Sequence, residues 1–387
     1  MLKGIHLTLM IGPAVPVPQT VLAALTSVEV TTSTRGASGF KLAFTLSNRS
    51  PLHTLFLLSG GAAIPIMRVI IVVTVNGAAE VLMDGVITNQ QVSPGTDPGH
   101  STLTVMGEDL TTIMGLIDFS GLPYPAMPSA ARVALILAKY AVLGIVPAVI
   151  PAFISDLPIP VERIPQHQGT DLAYIRQLAE EAGYVFYINP GPQPGMNIAY
   201  WGPEVKVGVP QPALNVNMDA HTNVEALSFT YDKTKKELPV VYIQNQLTKA
   251  PIPLPIPDIT PLNPPLGLIP PIPPQLSRLK YTAKLSPLQA VLHGVARAAQ
   301  SADAVTGTGS LDVLRYGRLL KARQLVGVRG VGMAYDGRAS ASKLCGVIFA
   351  RVCHPSSADG GSARGGLFVD GVGHVGGRDG CRNCIAF

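Results

Sequence analysis

The one metal-like pattern in this chain lies near its end. Cys381-Arg382-Asn383-Cys384 is a C-x-x-C pair, and Cys353-His354 and His374 precede it. A closed zinc site needs four ligands on a tetrahedron, normally from two paired knuckles. Only one pair is properly spaced here, so incidental cysteines are the better reading. The zinc alternative is the quartet Cys353, His374, Cys381 and Cys384. Elsewhere there is no G-x-S-x-G elbow, H-E-x-x-H helix, Walker loop or EF-hand loop. Gly327-Val328-Arg329-Gly330-Val331-Gly332 and Gly307-Thr308-Gly309 are glycine-rich, but neither stands between a strand and a long helix, so both read as tight turns. The 8 histidines are scattered, and the 24 acidic residues offer no positive signal for a catalytic carboxylate pair. Glu180 and Glu181 fall on the outer face of a helix. No catalytic, cofactor-binding or metal residues are expected, and the chain does not read as an enzyme.

Composition narrows the classes. The apolar set is 47% and charged residues are 14%, which excludes a disordered chain and supplies real cores. A length of 387 residues suits two or three domains. The net charge of +5 is spread thinly. Its densest cluster, Lys233, Lys235 and Lys236, is followed at once by Glu237 and reads as a solvated hairpin, not a nucleic-acid face. Aromatics are only 6%, too few for a stacking platform. The longest apolar stretch, Ala130 to Ile154, is broken by Arg132, Lys139, Pro147 and Pro151, so no membrane span is expected. Pro13 interrupts the opening before a secretory apolar region can form. All 4 cysteines lie beyond residue 344, so the body of the chain reads as intracellular or indifferent to redox.

The elements that would carry any site are mostly strands. Gly 39 and Pro 35, with abundant Val, Ile and Thr, point to many short strands joined by turns. Up to about residue 120, Leu25–Thr34, Phe40–Leu46, Met67–Val75, Val81–Thr88 and Ser101–Met106 read as strands, with Asn76-Gly77 as a hairpin turn. Glu108–Leu116 reads as a short helix. From 121 to 204 a helix starts at Ser129, and a clearer one is capped by Thr170 or Asp171. Its stripe is Leu172, Ile175, Leu178 and Ala179, and Gly183 stops it. Tyr184–Ile188 and Met196–Trp201 follow as paired strands. From 205 to 337, Val224–Asp232 and Leu238–Gln246 suggest a hairpin. Then 11 of 26 residues in 250–275 are Pro, which predicts an extended surface loop without ladder bonds. A helix is expected over 287–302, then strands Val305–Leu314, Arg323–Val328 and Val331–Tyr335.

Two stretches carry a family resemblance. Gly169 to Ile188 (GTDLAYIRQLAEEAGYVFYI) resembles the helix-then-strand signature of the late control protein D family of contractile phage tails, also found in the hub-like half of type VI secretion spike proteins. Leu311 to Leu320 (LDVLRYGRLL), leading to Gly330 to Gly337 (GVGMAYDG), is similar to the closing β segment of the same baseplate hubs. Leu103 to Leu110 (LTVMGEDL) fits less specifically. The resemblance spans residues 1–337. It implies a mainly β fold with an α+β insertion: two tube-like β-barrels, 1–120 and 205–337, flanking a small α/β region, 121–204. It also implies the role. A homotrimer with two barrels per copy presents six quasi-equivalent units to a hexameric tail tube above and threefold symmetry to a trimeric spike protein below. Tube, spike and other baseplate proteins are the implied partners, in a particle assembled in the cytoplasm and released as a phage tail, bacteriocin or injection system. The family brings no catalytic residues to carry over. Neither a fused β-helix spike nor a lysozyme-like domain is present.

The departure is the tail. From 337 to 387 there are 11 Gly, one Pro and no Tyr or Glu, and all the cysteines. Where the family continues into an apolar, aromatic strand, this chain reads Arg338 to Lys343 (RASASK). The expectation is a poorly ordered, dispensable segment 338–387 with the final hub strand missing or replaced, as a change of reading frame near 338 would produce. Two other roles compete with the hub: a tail-associated peptidoglycan hydrolase and a secreted Pro-rich binding module.

Overall fold

The computed structural model describes residues 5–12, 15–34, 36–46, 66–95, 101–151, 158, 160–161, 164–204, 208–232, 237–244, 250–256, 275–279, 287–300, 305–311, 313–332, 336–340, 343–350 and 369–370. The protein is mainly β with an α+β insertion. The first strands are β1 (Ile5–Ile11), β2 (Val15–Pro16), β3 (Leu25–Ser33), β4 (Gly39–Leu46), β5 (Arg68–Val75), β6 (Ala78–Ser93) and β7 (Ser101–Asp109). The insertion carries β8 (Ile145–Val149), β9 (Val185–Pro190) and β10 (Asn197–Gly202) with helices Ser129–Ala138 and Asp171–Ala182. Then come β11 (Gln211–Asn215), β12 (Val224–Tyr231), β13 (Glu237–Gln244), β14 (Pro251–Pro255), β15 (Gln275–Arg278), helix Pro287–Gln300, β16 (Val305–Leu311), β17 (Leu325–Arg329), β18 (Gly337–Ser340), β19 (Lys343–Ala350) and β20 (Val369–Asp370).

A nine-stranded sheet dominates, in the order β2-β1-β5-β6-β7-β4-β3-β19-β20. Period-2 alternation builds its core. Phe40, Leu42, Phe44 and Leu46 are buried while Lys41 and Thr45 are exposed. Ile5, Leu7, Leu9 and Ile11 do the same on β1, a strand that sequence reasoning missed. The Asn76-Gly77 turn has φ of 51° and 88°, the double positive φ that a tight hairpin requires. β1, next to β2 at one end of the sheet order, comes within contact of β20 at the other, so the sheet curls on itself.

A second core forms between helices Ser129–Ala138 and Asp171–Ala182 and the sheet β8-β10-β9. Thr170 caps the second helix, its Oγ1 accepting from the Ala173 N–H at 3.3 Å, and Gly183 ends it at φ 69°. Ile175, Leu178 and Ala179 are buried as the stripe requires, and Tyr174 joins them. Strand β6 belongs to both cores: Met83 packs in the first, Val86 in the second. The helix expected over Glu108–Leu116 shrinks to Thr111–Met114, because β7 continues through Asp109.

Between residues 210 and 340 the described strands fall into three small sheets, β11-β17-β18, β12-β16 and β14-β13-β15. The expected hairpin between Val224–Asp232 and Leu238–Gln246 does not form. β12 pairs with β16, and β13 with β14 and β15. The sequence at 233–236, outside the described residues, is KTKK and contains no Asn-Gly pair to favour the local pairing. Nor is the Pro-rich stretch free of ladders. In β14 the prolines occupy 251, 253 and 255, and β14 is an edge strand. Alternation turns their missing N–H groups outward, and the even positions face β13, as Ile256 shows by donating to the Pro239 carbonyl at 2.9 Å. Residues 257–274 lie outside the described set.

The tail also departs from expectation. Residues 337–340 pair with β17, and 343–350 pair antiparallel with β3 over seven positions, Lys343 opposite Ser33 to Phe349 opposite Ser27. Leu344, Val347, Ile348 and Phe349 are strand formers despite the glycine-rich surroundings. A strand beyond residue 340 is therefore present in the main sheet, while residues 351–368 and 371–387 lie outside the described set. Trimming at Gly337 would remove it from the main sheet.

Candidate functional site

The residues singled out for chemistry do not converge. Glu180 and Glu181 are exposed, and Glu181 accepts from Gln177 Nε2 at 2.9 Å. Gly330 and Gly332, at φ 84° and 119°, make the expected turn after β17, where Asp336 Oδ1 accepts from the Val331 and Gly332 N–H groups at 2.9 and 3.2 Å. Gly307 and Gly309 make no turn and lie inside β16. A Cβ at Gly309 would sit 2.5 Å from the Ala226 carbonyl oxygen, so glycine permits the close approach of β12. Cys353, His354, His374, Cys381 and Cys384 lie outside the described residues. Among the described residues no three His, Cys, Asp or Glu side chains gather as a metal site, and no helix is long and apolar enough to cross a membrane.

What the fold does assemble is a set of buried polar joints. The first ties the main sheet to the insertion. Arg68, opening β5, donates from Nε and Nη2 to the two Asp84 carboxylate oxygens, each at 2.7 Å. Asn197 Nδ2 donates to the same carboxylate at 2.9 Å, and Arg68 Nη2 also reaches the Gly195 carbonyl at 3.0 Å. Asp84 is 2% exposed. A buried carboxylate is tolerable because a planar fork and an amide satisfy its oxygens together.

The second joint is built on Arg323, between the helical turn Val313–Tyr316 and β17. Its Nη1 donates to Asn189 Oδ1 on β9, and its Nη2 to the Ser33 carbonyl and, at 3.4 Å, to Ser38 Oγ. The guanidinium carbon lies 3.9 Å from the Tyr187 ring centroid. Burial holds this guanidinium down to about 10, against the pull of Tyr187 and Asp109. Burial likewise pushes the Asp109 carboxyl up from its ordinary value, opposed by hydrogen bonds from Thr111 and Ser38 and by the Arg323 charge. Asp109 is held by Thr111 N–H at 3.0 Å and Ser38 N–H at 3.4 Å, so Ser38 stands between the two charges.

The third is a knot inside the insertion. Asp171 is fully buried in the first turn of its helix, where the dipole favours a negative charge. It accepts from Lys139 Nζ at 2.9 Å and Tyr140 Oη at 2.7 Å, and bonds His167 Nε2 at 2.9 Å. Burial, then the Asp171 bond and charge, push the Tyr140 phenol well up. His167 packs against Tyr174 with ring centroids 4.5 Å apart. A His–Asp pair suggests hydrolysis, but both side chains have no exposed surface. General base chemistry needs reach to a substrate proton, which this pair lacks. The knot fastens residues 118–124 to 165–170, which run together through Phe119 N–H to the Gly169 carbonyl at 3.1 Å and Tyr124 N–H to the Pro165 carbonyl at 2.8 Å.

Sequence reasoning found none of these joints. Their one signal is a charge inside an apolar strand run, as with Asp84 within Val81–Thr88. Partners such as Asp84 and Asn197, or Arg323 and Asn189, lie more than a hundred residues apart and leave no local trace.

No family model matches the sequence, and no curated protein is significantly similar to it. Solved structures do resemble the fold. A tail protein from Neisseria meningitidis MC58 superposes with a TM-score of 0.59 at 13% identity, over 90% of this chain and 93% of that one. The 43 kDa tail protein of prophage MuSo2 from Shewanella oneidensis gives 0.57 at 14% identity, over 89% and 94%. An Escherichia coli component of the type VI secretion system, described as structurally similar to bacteriophage T4 tail proteins, gives 0.52 at 11% identity, over 93% and 74%. The chain has the fold of these tail proteins.

Proposed function

We propose that this protein is a structural baseplate hub of a phage-like contractile tail or injection system. The observation that carries the reading is the likeness to two tail proteins over about nine-tenths of both chains. In this reading, 1–120 and 205–337 are the tube-like units and 121–204 is the insertion between them. Three copies form a ring that adapts a hexameric tube to a trimeric spike. The role is mechanical, not catalytic, and buried polar joints between cores suit a part that must keep its shape under load. The protein assembles in the cytoplasm and leaves the cell within the particle.

The test is co-expression with a trimeric spike protein, followed by light scattering. Three copies per complex are expected. A stable monomer at micromolar concentration with the spike present would sink the hub reading. Zymography on cell walls separates the hydrolase alternative, and no clearing is expected.

A further inference from the structure

Only one asparagine in the chain is followed by glycine, the pair Asn76-Gly77. It forms the tip of the β5–β6 hairpin, at φ of 51° and 88°, between the paired residues Val75 and Ala78. Residues 76–79 are all exposed. The Gly77 N–H makes no hydrogen bond among the described residues, and a Cβ built on Gly77 would meet no atom within 4 Å. The Asn76 side chain, by contrast, has a partner. Its Nδ2 donates to the Gly317 carbonyl at 3.3 Å, across 241 positions of sequence. That carbonyl belongs to the segment whose Val313 and Leu319 pack against the first core. A side-chain amide at the hairpin tip therefore takes part in a long-range contact.

An asparagine before glycine is chemically labile, because the following main-chain nitrogen reaches the side-chain amide carbon when no Cβ shields it. The Gly77 nitrogen bonds to Asn76 Cγ while the Cγ–Nδ2 bond breaks. The Gly77 proton passes through water to the departing nitrogen, which leaves as ammonia. Water then adds to one of the two carbonyls of the cyclic imide and opens it, leaving aspartate or isoaspartate at position 76. Nothing is oxidised or reduced. The attack needs the turn to open, and an exposed hairpin tip is where opening costs least. The product has exchanged an amide donor for a carboxylate. A carboxylate and the Gly317 carbonyl are both acceptors, so the 3.3 Å bond cannot re-form.

We propose that Asn76-Gly77 is a site of spontaneous deamidation, and that conversion there breaks the contact between the β5–β6 hairpin and Gly317. This rests on the chemistry of one turn and not on the particle reading. The full chain, incubated in mildly alkaline buffer, is mapped by peptide mass spectrometry and by enzymatic methylation of isoaspartyl carboxyls. Conversion at Asn76 should exceed that at any other asparagine about tenfold or more, since only here does the next residue lack a Cβ. Asn76→Asp carries the product's carboxylate from the start and keeps the turn, because Asp-Gly also suits a tight hairpin. Hydrogen exchange in its peptides covering 313–323 should rise about threefold, the worth of one lost exposed bond, while peptides at 171–182 stay as in the parent. The aged parent, measured against fresh parent, should show the same rise without any substitution. No conversion at Asn76, or equal conversion at another asparagine, overturns the site. Unchanged exchange at 313–323 in the aged parent or in Asn76→Asp overturns the consequence, and with it the proposal.

Discussion

Replacing Arg68 by alanine removes two 2.7 Å charge-assisted bonds from a carboxylate that is 2% exposed. Asn197 then remains as the only one of the joint's donors on Asp84. Breaking a buried pair by deleting one partner costs about 3–5 kcal/mol, because the remaining charge cannot rehydrate. For a cooperative unit of about 200 residues, at about 2–4 °C per kcal/mol, that is a fall in melting temperature of about 6–20 °C. The chain supplies its own probe. Its 1 tryptophan, Trp201, is fully buried in the second core, beyond the joint. Urea titration followed by tryptophan fluorescence should show the midpoint of Arg68→Ala displaced accordingly. Adding Asp84→Leu to Arg68→Met should recover only part of the loss, since the apolar pair relieves both charges but leaves the buried Asn197 Nδ2 and the Gly195 carbonyl without these partners. A midpoint shift worth less than about 1 kcal/mol for Arg68→Ala would place the joint with ordinary surface pairs and refute the reasoning.

Asp109 carries a pH signature. Its folded pKa lies above the ordinary 3.8, so the folded state keeps a proton that the unfolded chain has released. That contribution is complete below 3.8 and fades as pH rises through the folded value. Urea midpoints of the parent should therefore decline relative to Asp109→Asn across this window, and a pH-independent gap would contradict it. Gly107→Val should destabilise by about 3 kcal/mol or more, because a Cβ there would sit 2.3 Å from Phe40 Cζ and 2.4 Å from the Val86 carbonyl oxygen; thermal melts check it. Thr170→Ala should cost about 1 kcal/mol through the lost cap on helix Asp171–Ala182, read by the same urea titration. Leu178→Asp buries an unpaired carboxylate at a 2% exposed position, and insoluble protein is the expected outcome on expression; a soluble, folded variant would show that this face is not core.

The readable parts of this molecule were those whose physics is local. Phe40 to Leu46 declares its face by alternation, Asn76-Gly77 its turn, and Thr170 with Gly183 both ends of a helix. The expected hairpin Val224–Gln246 failed because the partner of β12 is β16, about eighty residues on, and nothing near Lys233 announces it. The tail misled in another way. Its glycines and cysteines mark a change in composition, yet Lys343 to Ala350 still has strand-forming residues, and β3 supplies the missing partner. The joints were illegible for the same reason: Arg323, Asn189 and Ser33 meet only after three separate stretches of chain have folded.

The placement of β19 beside β3 also sets a clock. β3 leaves the ribosome long before β19, since Lys343 pairs with Ser33, so the seven-position ladder between them is a contact of very long sequence separation. Such contacts form late, after the entropy of closing the intervening loop has been met. Throughout synthesis β3 therefore offers a bare edge of Val28, Val30 and Thr31 beside an otherwise paired sheet. Exposed edges of this kind template association between nascent chains. Chains stopped short of Lys343 should accordingly be the ones that aggregate, and the codons of β19 govern how safely β3 folds.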